Sequence, residues 1–159
     1  MLVSGFRTVR LEAYPLARPD CEPLRHLTDD PSITGAMDDL PSPFTSDDAM
    51  ALIAANGAPW TFFGLHNGFA LVGVVCAREE GTDIEVGYWI GHDYRGKGYA
   101  TEALRGLLHW LKADAPRAPI HAECSPDNLA SSHVLEKCGF ARTDEQGKRN
   151  GRMIYRLAG

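Results

Sequence analysis

The chain holds no C-x-x-C pair, and its four cysteines, Cys21, Cys76, Cys124 and Cys138, lie far apart. That spacing excludes a zinc knuckle. The apolar runs around Cys76 and Cys124 predict free, buried thiols in a reducing compartment. No apolar run is long enough to span a bilayer, so no membrane association is expected. The opening MLVSGFRTVRLEAY lacks the apolar core of a signal peptide, and the expected location is cytoplasmic. Basic charge is scarce: 16 Lys and Arg face 21 Asp and Glu, a net charge of −5. Nucleic-acid binding needs a basic face and is not expected. The acidic balance is compatible with a cationic substrate such as an amine. No repeat, low-complexity tract or linker interrupts the 159 residues, which predicts one domain over 1–159.

What is present alternates between strand and helix patterns. Thr8 to Tyr14 predicts a strand, with Val9 and Leu11 alternating with charged residues. Asp20 is placed to cap a short helix through Leu27. Residues 30–45, with Pro31, Gly35, Pro41 and Pro43, read as a loop. Ser46 is placed to cap a helix that starts with Asp47 and Asp48 and runs to about Asn56. TFFGL and FALVGVVCA flank His66-Asn67-Gly68, a tight-hairpin signal. A second hairpin turns near Glu79 to Thr82 into a strand over Asp83 to Ile90, where Gly87 marks a bulge or a close backbone approach. Ala100, Ala103, Leu104, Leu107, Leu108 and Leu111 form one helical stripe, ended by Pro116 and Pro119. Ile120 to Cys124 is a short strand, and Asn128 to Cys138 a helix with Gly139 at a left-handed cap position. Phe140 to Thr143 and Met153 to Leu157 make a last hairpin. The order is βααβββαβαββ. The fold class is α/β, a mixed and mostly antiparallel central sheet flanked by helices.

The stretch RGKGYAT, residues 95–101, joins a strand to the strongest helix. It is not a Walker loop, since GxxxxGK[ST] is absent, and Thr101 stands where a dinucleotide fingerprint has its third glycine. Two readings remain. The glycines serve only a tight turn, or they expose N–H groups at a helix N-terminus, beside Arg95 and Lys97, as a phosphate site.

Arg95-Gly96-Lys97-Gly98-Tyr99-Ala100 resembles the [Q/R]-x-x-G-x-[G/A] motif of the GCN5-related N-acetyltransferases (GNAT). Glu85 to Ile90 resembles that family's fourth strand. The segment NLASSHVLEKCGF, residues 128–140, is similar to its N-x-x-S…L-E-K-x-G-F segment, above all in the RimJ/RimL-like branch of ribosomal-protein N-terminal acetyltransferases. TVRLEAYPLARPD resembles that branch's first strand, so the likeness spans nearly the whole chain. The resemblance implies a GNAT-like (acyl-CoA N-acyltransferase) fold and acetyl-CoA as acetyl donor. Arg95, Gly96, Lys97, Gly98, Tyr99, Ala100 and Thr101 would wrap the pyrophosphate. The backbone at Trp89, Ile90 and Gly91 would pair with the pantetheine arm like an added strand, and a bulge near Gly87 would part this strand from Ile120–Cys124 to open a slot. Similar proteins are commonly dimers, so a homodimer is an open expectation.

Acetyl transfer to an amine needs a base for the ammonium proton and a donor near the leaving sulfur. Glu85, on the strand bordering the slot, is the first candidate base; a cross-strand ion pair is its alternative role. His121 and Glu123 share a face of the next strand and are candidates for a water relay, or plain surface groups. Many family members carry a tyrosine acid where this chain has Leu135. In the resembling branch a serine placed like Ser131 serves instead, with Asn128 contacting the cofactor arm; helix capping is the alternative for both. Tyr155 is a weaker acid candidate, and His92 reads as a solvated loop residue. Trp60, Phe44, Asp38 and Asp39 are candidates for an acceptor pocket, with ordinary core aromatics and solvated acids as the alternative. No metal is expected, and no carboxylate set accompanies the loop as a phosphotransferase requires. The expectation is an N-acetyltransferase acting on a primary amine, whether a protein N-terminus, an amino acid or another small amine. A non-catalytic acyl-CoA binding or sensing module is the alternative.

Overall fold

The computed structural model describes residues 4–37, 39–57 and 59–159. Among the described residues, eight strands form one sheet in the order β1-β2-β3-β4-β5-β6-β8-β7. They are β1 (Phe6–Arg7), β2 (Glu12–Pro15), β3 (Trp60–His66), β4 (Leu71–Glu80), β5 (Asp83–Ile90), β6 (Ile120–Cys124), β7 (Phe140–Gln146) and β8 (Met153–Leu157). All neighbours are antiparallel except β5 and β6. The helices are α1 (Cys21–Thr28), α2 (Pro31–Thr34), α3 (Ser46–Ala54), α4 (Tyr99–Asp114) and α5 (Leu129–Lys137).

Period-two alternation divides the apolar side chains between two cores. On one face Ile84, Val86, Ile120, Ala122 and Cys124 pack with the α4 stripe and Leu135 of α5. On the other, Val74, Cys76 and Trp89 pack with Leu24 and Leu27 of α1, Ile33 of α2, and Phe44 and Ala49. The predicted stripe is the buried side of α4, from Ala103 through Leu111.

The structure differs from the expected elements at several points, beginning with Asp20, whose side chain accepts the Ala17 N–H at 2.8 Å and caps no N–H of α1. Of the strand expected over Thr8 to Tyr14, only Glu12 to Tyr14 is extended, within β2; Thr8 to Leu11 is the turn from β1, which precedes it and pairs with β2 as a hairpin. The stretch read as a loop contains α2, because Asp30 Oδ1 accepts the Ser32 N–H at 2.9 Å and Pro31 stands in the first turn, where its missing N–H costs nothing. Thr45, not Ser46, caps α3: it forms a reciprocal capping box with Asp48. The Asn67-Gly68 turn is wider than a two-residue hairpin, since Asn67 Oδ1 accepts from the N–H groups of Phe69 and Ala70 at 3.0 and 2.9 Å.

The feature that makes room for a site is the β5–β6 seam. These strands pair only at Ile84↔Ile120 and Glu85↔His121, then part. The expected bulge does not mediate this. The β4–β5 ladder runs unbroken through Cys76↔Gly87, and the strands separate simply because their parallel pairing stops after two rungs.

Candidate active site

A cleft of about 1310 Å³ enters at the 95–101 turn, follows the parted edge of β5 and continues to Asp39, Trp60 and Arg149. At its entrance Gly96 and Gly98 have φ of +74° and +81°, values that a side chain would strain. The first intrahelical bond of α4 runs from the Glu102 N–H to Gly98 O at 3.1 Å. The N–H groups of Tyr99, Ala100 and Thr101 therefore precede the helical ladder, and no acceptor meets them among the described residues. Nothing lies within 4 Å of a Cβ built at Gly96. Open space, free donors and the positive end of a 16-residue helix fit a diphosphate. Lys97 is exposed on this turn.

Arg95 is placed differently from the expectation. Its Nε donates to Ile90 O at 3.0 Å and its Nη2 lies 3.8 Å from Asp30 Oδ2, so it braces the end of β5. Tyr99 tucks its ring beneath the Arg10 guanidinium, 4.4 Å from the centroid. Arg10 is held by Glu102, with Nε 2.7 Å from Oε1, and the Thr8 hydroxyl bonds the same carboxylate. Burial pushes the Glu102 carboxyl up, but the bonds from Thr8 and Arg10 outweigh it and hold the group below its ordinary value.

Strand alternation decides which peptide groups face the slot. The Ile84 N–H points to the β6 side, where it bonds Pro119 O, and the Gly91 N–H points the other way, to Val72 O at 2.9 Å. The peptides of Tyr88 and Ile90 thus face the cleft. Those of Trp89 and Gly91, expected to hold the pantetheine arm, do not. Gly91 O accepts from Tyr94, and the Trp89 indole is buried with Nε1 3.1 Å from Thr28 Oγ1.

The same alternation sets two kinds of chemistry on opposite faces of the parted seam. On the α4–α5 face, Tyr88 reaches Ser131, its hydroxyl 2.8 Å from Ser131 Oγ and 3.1 Å from Ser131 O. Asn128 caps α5, its Oδ1 accepting the Ser131 N–H at 3.2 Å. Burial pushes the Tyr88 hydroxyl up, so it keeps its proton. Tyr155, the weaker acid candidate, is buried in the core.

On the α1–α3 face, Glu85 is 2% exposed. Its strand partner Arg78 puts Nη2 2.6 Å from Oε1, and Arg149 puts Nη1 2.7 Å from Oε2. The cross-strand pair weighed for Glu85 is thus present. Arg149, in the β7–β8 loop, also bonds Asp39 Oδ2 through Nε at 3.0 Å and Nη2 at 2.8 Å, and lies 3.2 Å from Glu123. Glu123 in turn accepts the N–H groups of Lys148 and Arg149, both at 3.1 Å, which fixes that loop. Asp39 and Trp60 line this end of the cleft, and Phe44 is buried beside it; Asp38 lies outside the described residues. Exposed His92 sits in a short 3-10 turn.

Glu80, Glu85 and His121 offer ligand atoms within 4.8 Å of one another. Arg78 Nη2 lies 2.6 Å from Glu85 and 3.4 Å from Glu80, so a guanidinium already fills the place a cation would take. All four cysteines are free thiols, with Cys76 and Cys124 buried. Among the described residues, no helix is long and apolar enough to cross a membrane.

Tyr88 and Arg149 were missed from sequence. Tyr88 shares the parity of Val86 and Ile90, which was signal enough to place it at the slot. Arg149 stands 64 residues from Glu85, in a polar hairpin, and nothing local marks it.

Residues 10–141 match the family described as the acetyltransferase (GNAT) domain. Among curated proteins, the uncharacterized N-acetyltransferase YjdG of Bacillus subtilis is 39% identical over 62 residues, covering 39% of this chain and 37% of that protein. The ribosomal-protein-serine acetyltransferase of Escherichia coli is 30% identical over 56 residues, covering 35% of this chain and 31% of that protein. These matches span about a third of the relatives' length. Among solved structures, a GNAT-family acetyltransferase from Bacillus anthracis superposes with a TM-score of 0.85 at 24% identity, covering 96% of this chain and 97% of that one. The microcin C7 self-immunity acetyltransferase MccE, solved with acetyl-CoA and AMP, gives 0.80 at 20% identity, covering 95% and 93%.

Proposed function

The chain belongs to the GNAT acetyltransferase family, and on that footing we propose that it moves the acetyl group of acetyl-CoA directly to a primary amine. One observation carries the reading: a glycine turn with free helix N-terminal N–H groups opens into a cleft that crosses the sheet where β5 and β6 part. The N–H groups of Tyr99, Ala100 and Thr101, with Lys97 alongside, hold the diphosphate. The edge peptides of Tyr88 and Ile90 hold the arm and aim it at the seam. The thioester, reactive by itself, then lies between the two faces, and positioning supplies much of the rate.

The donor arrives from the α4–α5 face and the amine from the α1–α3 face. Asp39, Glu85 and Glu123 gather there, which favours a cationic acceptor. Arg149 occupies Glu85 Oε2 in this structure, so an amine must displace it before Glu85 takes the amine proton. On the opposite face the Ser131 hydroxyl donates to the sulfur as the C–S bond breaks. The acceptor is a protein N-terminus, an amino acid or another small amine.

The test is thiol release. Purified protein with acetyl-CoA is offered N-terminal peptides, amino acids and polyamines, and free thiol is followed. Amine-dependent release supports the reading. Cofactor binding without release for any amine would identify a non-catalytic acyl-CoA module instead.

A further inference from the structure

The α4–α5 face of the seam carries two hydroxyls where a sulfur donor needs only one. Tyr88 rises from β5 and Ser131 from the first turn of α5, so their contact crosses the opening between strand and helix. The oxygens are 2.8 Å apart, and both residues line the cleft. We propose that Tyr88 is a positioning residue: its O–H donates to Ser131 Oγ and thereby leaves the Ser131 proton free for the departing coenzyme A thiolate.

Proton counting supports this order. Tyr88 has one proton and faces two acceptors on Ser131, the carbonyl O at 3.1 Å, which can only accept, and Oγ at 2.8 Å; the carbonyl draws the Tyr88 proton to the Ser131 side, while Ser131 keeps one proton of its own. A hydroxyl that accepts from a neighbour turns its own proton elsewhere, and the chain becomes mutually polarised. Tyr88 keeps its proton because burial disfavours phenolate. The rest of Ser131 is fixed, with its N–H held by Asn128 Oδ1. In the transfer the amine nitrogen forms the new C–N bond, the C–S bond breaks, and its electron pair stays on sulfur. The Ser131 O–H stabilises that charge by hydrogen bonding, and no proton leaves Tyr88.

This rests on the acetyl-CoA reading and is tested on coenzyme A itself, without any acceptor. The titration of the bound thiol is followed by thiolate ultraviolet absorbance, with desulfo-coenzyme A as the blank to remove Cys124, Tyr88 and Tyr155. Tyr88→Phe, Ser131→Ala and the double variant are compared at saturating ligand. Each single change should raise the bound-thiol midpoint by about one pH unit, roughly a tenfold fall in thiolate fraction at neutral pH, and the double should do no more than either. Coenzyme A affinity should stay within a few-fold. A wild-type midpoint in Tyr88→Phe, with Ser131→Ala shifted, would show that Tyr88 only packs. Additive shifts would mean that it acts on sulfur directly. Either result overturns the relay. Failure of the wild-type protein to bind coenzyme A would instead overturn the underlying reading, and shows before any variant is made.

Discussion

Glu85 stands at the last paired rung of β5 and β6, with a guanidinium on each oxygen. Replacing it by Gln keeps the shape and removes the proton acceptor. Glu85→Gln should lower kcat by about 100-fold while leaving acetyl-CoA affinity unchanged, read by thiol release and calorimetry. Glu102 does different work: it ties the β1–β2 turn to the first turn of α4. Its carboxyl is held below its ordinary value, so its stabilisation is present above the ordinary carboxylate range and is lost as pH falls through the lower folded value. Glu102→Gln should therefore cost about 1–2 kcal/mol at neutral pH, and the gap to wild type should close in acid, measured by denaturant unfolding across pH. A gap that persists unchanged in acid would contradict the assignment. At this scale the sequence named the residues better than their partners. Glu85, Asn128 and Ser131 were legible from motif and parity. Arg78 could be paired with Glu85 once the hairpin register was known. Arg149 could not, because the fold alone brings the β7–β8 loop to β5.

The 95–101 turn is the element on which the proposed cofactor binding rests. Gly98→Ala and Gly98→Asp separate two effects there. Both put a side chain at φ +81°, with a Cβ 3.3 Å from Arg10 Nη2. Only Asp also sets a carboxylate against the diphosphate. Ala should weaken coenzyme A binding modestly and Asp by about 100-fold or more, with helix content unchanged by circular dichroism. Equal affinities in the two folded variants would remove the turn from the site. The β7–β8 loop has its own requirement at Gly147, where a Cβ would collide with the Glu123 carboxylate. Gly147→Ala should displace the loop and loosen Arg149, seen as faster hydrogen exchange at residues 147–152. Elements with strong periodicity were read correctly: β5 and β6 at their observed bounds, and the buried stripe of α4. The weak readings were at polar turns. There the side chains of Asp30, Thr45 and Asn67 choose the backbone path, and several residues of the same type compete for the cap.

For the whole molecule, the parted seam joins two faces of one sheet. The Tyr88 and Ser131 hydroxyls lie on the α4–α5 face and the acidic groups on the α1–α3 face, because successive residues of β5 and β6 point to opposite sides. The sequence showed the α/β order and the likeness that implied this fold. It could not show where the parallel ladder stops, since that depends on how α4 and the β8 hairpin seat β6. In the proposed function the glycine turn binds a diphosphate and leads acetyl-CoA to this seam. Calorimetric titration with acetyl-CoA, against acetyl-pantetheine lacking the diphosphate, tests it most directly. Acetyl-CoA should bind, and acetyl-pantetheine should bind about 100-fold or more less tightly. Equal affinity for the two, or no binding of acetyl-CoA to the folded protein, would contradict it.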